Sequence, residues 1–159
     1  MRIAAVTAAI SLLVLQPHVG RAATVSTTVG MSSTVVATCT VTAAPLAFGT
    51  YSSVQIDQTT TITVNCSNGA AYTIGLGAGT APGATVTTRR MVNGGSTMNY
   101  SLFRDAARTL NWGTTIGTNT VAGTGSGADQ AVIIYGRIPG AQSVPSGSYA
   151  DTVAITVTY

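Results

Sequence analysis

The chain has 159 residues, with 7 Lys or Arg, 4 Asp or Glu and 1 His. Neither Lys nor Glu occurs: apart from the one His, every basic side chain is Arg, and every acidic one is Asp. So few titratable groups leave little for acid–base or metal-assisted catalysis to work with, while a hydrophobic fraction of 45% excludes a disordered chain.

The first element is a leader. Arg2 gives a positive start, Ile3 to Leu15 is apolar, and Gly20 and Ala22 supply small residues before a cut. This pattern predicts a secretory signal peptide over residues 1–22, too short in its apolar part to span a bilayer. Cleavage removes Arg2, Arg21 and His18. Five Arg (89, 90, 104, 108, 137) then face four Asp (57, 105, 129, 151), a net charge of +1. The basic character belongs largely to the leader, and no nucleic-acid partner is implied. Residues 23–159 suit one exported domain, soluble or extracellular.

From Thr24 onward the pattern alternates. Val25, Thr27, Val29 and Met31 share one face of a predicted strand, and Ser26, Thr28, Gly30 and Ser32 share the other. The segment carries no charge and no proline before Pro45, so its edge is unprotected against pairing with another chain. Further strands are predicted in TTITVNC, AYTIGLG, RRMV, TMNYSLF, RTLNW, QAVIIYGRI and YADTVAITVTY. Gly-, Asn-, Pro- and Ser-rich stretches separate them, including the turn signal Asn68-Gly69. No helix of ten or more residues is indicated. Many short strands with such punctuation predict an all-β antiparallel sandwich.

YSLFRDAARTLNWG concentrates charge, with Arg104, Asp105 and Arg108 just before Trp112. The flanks read as strands, so a hairpin corner is expected, with Asp105 bonded to the turn backbone and Trp112 near the sandwich edge. The two arginines are expected at a solvent-facing corner, as a surface or intersubunit contact. Arg89, Arg90, Arg104 and Arg108 could form a basic patch, but ordinary surface charge is the expected reading. In the last segment Val153, Ile155, Val157 and Tyr159 share one face of a strand, and Ala154, Thr156 and Thr158 the other.

Cys39 and Cys66 are the two cysteines, and in an exported chain an even pair predicts one disulfide. Closing that loop is worth about 3–4 kcal/mol in the chain-entropy account. With both thiols bridged and no His, Lys or Glu after the leader, a Ser-His-Asp or Cys-His triad and a His-ligated zinc site are excluded. GLGAGTAPG lacks the following helix of a phosphate loop, and Asp129 lacks the acidic spacing of a calcium loop. No enzyme, cofactor or metal site is expected.

Four segments carry a resemblance. CTVTAAPLAFGTY, TITVNC, YSLFRDAARTLNWG and IYGRIPGAQSVPSGSYADTVAITVTY, in this order behind a leader, resemble the spore coat protein U domain, the subunit domain of archaic chaperone-usher pili. Departures are small: Phe103 stands where Tyr is common, and Asn111 intervenes before Trp112. The resemblance implies an immunoglobulin-like Greek-key sandwich lacking its last strand, completed by a donor strand from a neighbouring subunit. It divides the chain into leader 1–22, donor extension 23–32 and sandwich 33–159. The implied donor residues are Val25, Thr27, Val29 and Met31. Thr24 to Met31 would span roughly 26 Å at about 3.3 Å per residue. Each buried apolar side chain would contribute about 1.5–3 kcal/mol. The implied acceptor is the terminal strand, with Val153, Ile155, Val157 and Tyr159, and a strand near Val35 to Cys39 would flank the groove on the other side. A periplasmic chaperone would dock on the same strand before exchange.

The implied function is a structural pilus subunit serving adhesion and biofilm formation at the cell surface. Its implied partners are the chaperone, an outer-membrane usher and other subunits, and it would meet the outer membrane only through the usher. Two alternatives stand beside it: a self-contained secreted sandwich that binds glycan or protein through its Arg-bearing loops, and a spore or cyst coat protein.

Overall fold

A computed structural model describes residues 20–159, so the leader expected over 1–22 lies almost wholly outside the described residues. The chain forms two units that divide after Thr34. The described part of the first, residues 20–34, contains no strand and is solvent-exposed throughout. The strand expected from Thr24 onward, with Val25, Thr27, Val29 and Met31 on one face, is therefore not formed. An isolated segment has no ladder partner, and alternation without one does not hold a strand.

The second unit, Val35–Tyr159, holds eight strands and no helix. They are β1 (Cys39–Ala43), β2 (Ile56–Cys66), β3 (Ala71–Leu76), β4 (Arg89–Asn93), β5 (Ser96–Phe103), β6 (Val121–Thr124), β7 (Gln130–Ile138) and β8 (Ile155–Thr158). A five-stranded sheet has the order β1-β2-β7-β5-β4, and a three-stranded sheet the order β6-β3-β8. Every strand pair is antiparallel. The second unit is an all-β antiparallel sandwich in which β8 ends the smaller sheet with one edge unpaired.

Local chemistry sets the connections. Gly94 and Gly95 join β4 to β5 between the paired residues Asn93 and Ser96, and Gly94 has φ of 57°, a conformation suited to a two-residue hairpin. Asn68-Gly69 turns β2 into β3, with Ala70 N donating to Ser67 O at 3.0 Å. Cys39 pairs with Cys66 across β1 and β2, and the two form the expected disulfide. The strand expected near Val35 to Cys39 begins at Cys39 instead and runs to Ala43.

The core lies between the sheets. Ile62, Val64 and Cys66 of β2, Ile74 and Leu76 of β3, and Trp112 have no exposed surface. Period-two alternation in β2 sends these residues inward and Thr61, Thr63 and Asn65 outward. Trp112 was expected near the sandwich edge and is instead central. Past Phe103 the chain keeps only one bridge to β5, Phe103 with Asn111, so RTLNW forms no strand. Gly113 O instead accepts from Leu76 N at 2.9 Å, which carries the indole between the sheets, and Trp112 Nε1 donates to Ile74 O at 2.8 Å.

Candidate functional site

The smaller sheet does not cover the larger one completely. A cleft of about 530 Å³ opens beside the terminal segment. Its floor is the inner face of the five-stranded sheet, chiefly Met91, Tyr100, Leu102 and Ile134. One wall is the segment after β1. Ala44 N donates to Thr61 O and Ala44 O accepts from Thr60 Oγ1, and then Pro45 removes a donor and the chain leaves β2. Leu46 and Phe48 cross the sheet over Gly136, where an added Cβ would come within 2.6 Å of Leu46 and 2.8 Å of Phe48. Phe48 meets Tyr100 edge-on, with ring centroids 6.0 Å apart. This crossing needs the bare backbone of Gly136.

The opposite wall runs from Tyr149 to Ile155. Ala150 exchanges backbone hydrogen bonds with Val92, Ala154 O accepts from Gly77 N at 2.9 Å, and β8 then pairs with β3. Val153, Ile155 and Val157 are half-buried while Thr152, Ala154, Thr156 and Thr158 are exposed. Val153 and Ile155 line the cleft, Val157 does not, and Tyr159 is 59% exposed. A second cleft of about 710 Å³ shares Leu46, Phe48, Met91 and Tyr149 and continues the first past Met98, Tyr51 and Val144. Among the described residues, Asp151 is the one charged residue lining either cleft.

Asp151 is tied to both sheets. It accepts from Thr80 N and Thr80 Oγ1 on the loop after β3, from Thr152 N, and from the Tyr100 hydroxyl on β5 at 2.7 Å. Desolvation alone would raise its carboxyl, but these hydrogen bonds outweigh it and hold the group below the usual value of 3.8. Burial and the same hydrogen bond push the Tyr100 hydroxyl well above its ordinary value, so it stays a donor.

Arg89, expected on the surface, is fully buried. Its guanidinium donates to the carbonyls of Gly77, Val86, Leu76 and Trp112 at 2.7–2.9 Å. Desolvation pulls it down to about 10, against the opposing pull of Tyr100 and Asp151, and it remains charged at neutral pH. Arg90 Nη1 reaches Pro82 O at 3.3 Å. With Arg89 inside, the four arginines do not make a basic patch.

The corner at 104–110 is a loop rather than a tight hairpin, closed by Arg104 N to Leu110 O. Asp105 takes the turn role expected of it, accepting from Thr109 N, Thr109 Oγ1 and Leu110 N. Slight desolvation raises its carboxyl and these bonds more than offset it, leaving it below 3.8. The arginines turn inward, not to solvent. Arg104 donates to Thr120 O, and Arg108 donates to Gly136 O from above the Tyr135 ring, 5.6 Å from its centroid. Arg108 also lies 3.6 Å from Asp57, whose carboxylate is held by both Nε and Nη2 of Arg137. The hydrogen bond from Arg137 is the main reason the Asp57 carboxyl sits low. The loop offers Ala106, Ala107, Thr109 and Leu110 outward.

In the N-terminal unit Val25, Val29 and Met31 are 97%, 75% and 91% exposed, and Thr27 is exposed too. Of the four residues expected on the terminal strand, Val153 and Ile155 line the cleft and Val157 and Tyr159 do not, while the wall at 43–51 and the Arg89 cradle have no counterpart in the sequence reading. The i, i+2 pair Leu46 and Phe48 after Pro45 was the available signal for the wall. Little that is local marks the cradle, since three of its four carbonyls come from two distant segments, Leu76-Gly77 and Trp112.

The Spore Coat Protein U domain family matches residues 25–156. Protein U of Myxococcus xanthus is 36% identical over 175 residues, covering 99% of this chain and 96% of that protein. A chain in the crystal structure of the CsuC-CsuE chaperone-tip adhesion subunit pre-assembly complex, from archaic chaperone-usher Csu pili of Acinetobacter baumannii, has a similar fold with a TM-score of 0.60. It is 20% identical, and the likeness covers 79% of this chain and 40% of that one.

Proposed function

Because this chain belongs to the Spore Coat Protein U domain family, we propose that it is a structural subunit of a surface polymer of the chaperone-usher pilus type, built by donor-strand exchange. The observation that carries this reading is the pairing of an open apolar cleft with an exposed apolar segment in one chain. Leu46, Phe48, Tyr149, Val153 and Ile155 are half-buried around a gap beside the unpaired edge of the terminal strand. Residues 23–32 carry no charge, expose Val25, Val29 and Met31, and form no strand of their own. An extended segment that adds to a sheet edge gains ladder hydrogen bonds from its backbone and specificity from alternate side chains. Absence of charge suits entry into such a cleft, because an unpaired buried charge is costly.

In this reading the N-terminal extension of one copy fills the cleft of the next. A periplasmic chaperone covers the cleft beforehand, an outer-membrane usher passes the growing polymer outward, and the finished fibre serves adhesion and biofilm formation. The role is mechanical, not catalytic. The test is deletion of residues 23–32 from the exported chain in its own host. Surface polymer should be lost while the folded subunit persists in the periplasm, and unchanged polymer would reject the reading. The description of the family as a spore coat domain favours a second destination for the same polymer, a coat layer, and electron microscopy separates fibres from a shell.

A further inference from the structure

Both walls of the cleft are tied to its floor through one side chain. Between Ala150, bonded to Val92 of β4, and Ala154, bonded to Gly77, the terminal segment crosses from the larger sheet to the smaller one. Among the described residues, no backbone hydrogen bond to another strand holds residues 151–153. Asp151 fixes this crossing instead. Its carboxylate is held by Thr80 on the side of the smaller sheet and by the Tyr100 hydroxyl on the side of the larger one. A Cβ on Gly79 would overlap that carboxylate, so the bare backbone there, with φ of 93°, is what admits it. The glycine-rich stretch GLGAGTAPG, which is no phosphate loop, is thus the seat of a carboxylate from its own chain. Tyr100 reaches the other wall as well, because its ring lies edge-on to Phe48 at 6.0 Å. It is buried on β5, between β7 and β4, and so rises from the interior of the five-stranded sheet.

We propose that Tyr100 and Asp151 are the positioning pair of the cleft, setting the spacing of its two walls before the N-terminal segment of a second copy enters. The proposal rests on the donor-strand reading above. Leu46 and Phe48 on one wall, and Val153 and Ile155 on the other, are half-buried, so packing restrains each wall on one side only. An added strand lies about 4.7–4.9 Å from the strand it pairs with, and its N–H···O bonds hold only over about 2.7–3.2 Å. A wall displaced by about an ångström therefore forfeits ladder bonds. Walls placed beforehand take a strand without a further ordering cost.

The test is capture of a fluorescent peptide of residues 23–32 by the full-length subunit isolated with its periplasmic chaperone. Tyr100→Phe keeps the ring beside Phe48 and removes the hydroxyl. Capture should slow roughly tenfold or more, the effect of losing a hydrogen bond to a charged group. Asp151→Ala should slow it at least as much, and Tyr100→Phe added to Asp151→Ala should slow it little further, because both changes break one contact. Asp151→Asn should keep most of the wild-type rate, since its Oδ1 still accepts from Thr80 and Thr152 and its Nδ2 donates to the Tyr100 oxygen. Ile74→Val is the control for stability, because Ile74 is buried and lines neither cleft. It should lower the denaturation midpoint and leave capture unchanged. Wild-type capture that Tyr100→Phe leaves unchanged, or that Ile74→Val slows equally, would overturn the positioning role and keep the donor reading. An Asp151→Asn variant as slow as Asp151→Ala would overturn it too. A wild-type subunit that captures no peptide would overturn the donor reading and this pair with it.

Discussion

The two halves of this sandwich are finished to different degrees. Where β2 faces β3, Ile62, Val64, Ile74, Leu76 and Trp112 are fully buried, a disulfide closes the edge, and Arg89 ties β4 to the end of β3 and to Trp112 through their carbonyls. Where the five-stranded sheet faces the terminal segment, the same kind of side chain is only half covered: Leu46, Phe48, Tyr149, Val153, Ile155. Both halves use alternating strands of similar composition. What differs is the number of strands over the floor, so the open half lacks a covering element rather than apolar residues. Stability should therefore reside in the closed half and assembly in the open one.

Changes that separate the halves are the sharpest tests. Val29→Asp should abolish polymer at the cell surface while leaving the unfolding of the free subunit within about 0.5 kcal/mol, as for any exposed position. It should also leave binding of a periplasmic chaperone intact, and pull-down of the chaperone checks that arm. A large loss of subunit stability would mean that Val29 belongs to the subunit's own core. In the closed half Trp112→Ala should cost about 3–5 kcal/mol in urea unfolding, the range for emptying a large buried aromatic site. Cys39→Ser with Cys66→Ser should cost about 3 kcal/mol, since the unfolded chain regains the freedom of the loop. Ile155→Ala, half-buried on the open wall, should cost the free subunit only about 1 kcal/mol, yet weaken the polymer more, as measured by its dissociation in denaturant.

The smallest effect is on pH. Asp57, Asp105 and Asp151 all sit below 3.8 when folded, so the unfolded state binds protons first as pH falls. Their stabilisation is complete above the unfolded value and is lost as pH drops through the folded ones. After the leader the chain has no His, so the melting temperature should be flat from about pH 5 to 8 and fall only below about pH 4. A midpoint that shifts near pH 6.5 would contradict this assignment.

The arginines show how far local reading reaches. Asp105 was legible as a turn acceptor because its partners, Thr109 and Leu110, are four and five residues away. Arg108, three residues from Asp105, was not legible, because its partners lie on Asp57, Tyr135 and Gly136. Arg89 looked like surface charge for the same reason, although its neighbour Arg90 does remain half-exposed.

What the sequence alone determined is whatever depends on period, count and spacing: the antiparallel all-β class, β2 and β3 around Asn68-Gly69, the single cysteine pair, and the inward row of the last strand. The tertiary structure decided the rest. It left residues 20–38 without a strand, because alternation is not a ladder until a partner edge is present. It carried Leu46 and Phe48 across Gly136 to build the second wall, and drew Trp112 and Arg89 into the interior. Each of these rests on groups that are distant along the chain and adjacent only after folding, and no local pattern encodes which distant carbonyl or bare backbone a side chain will meet.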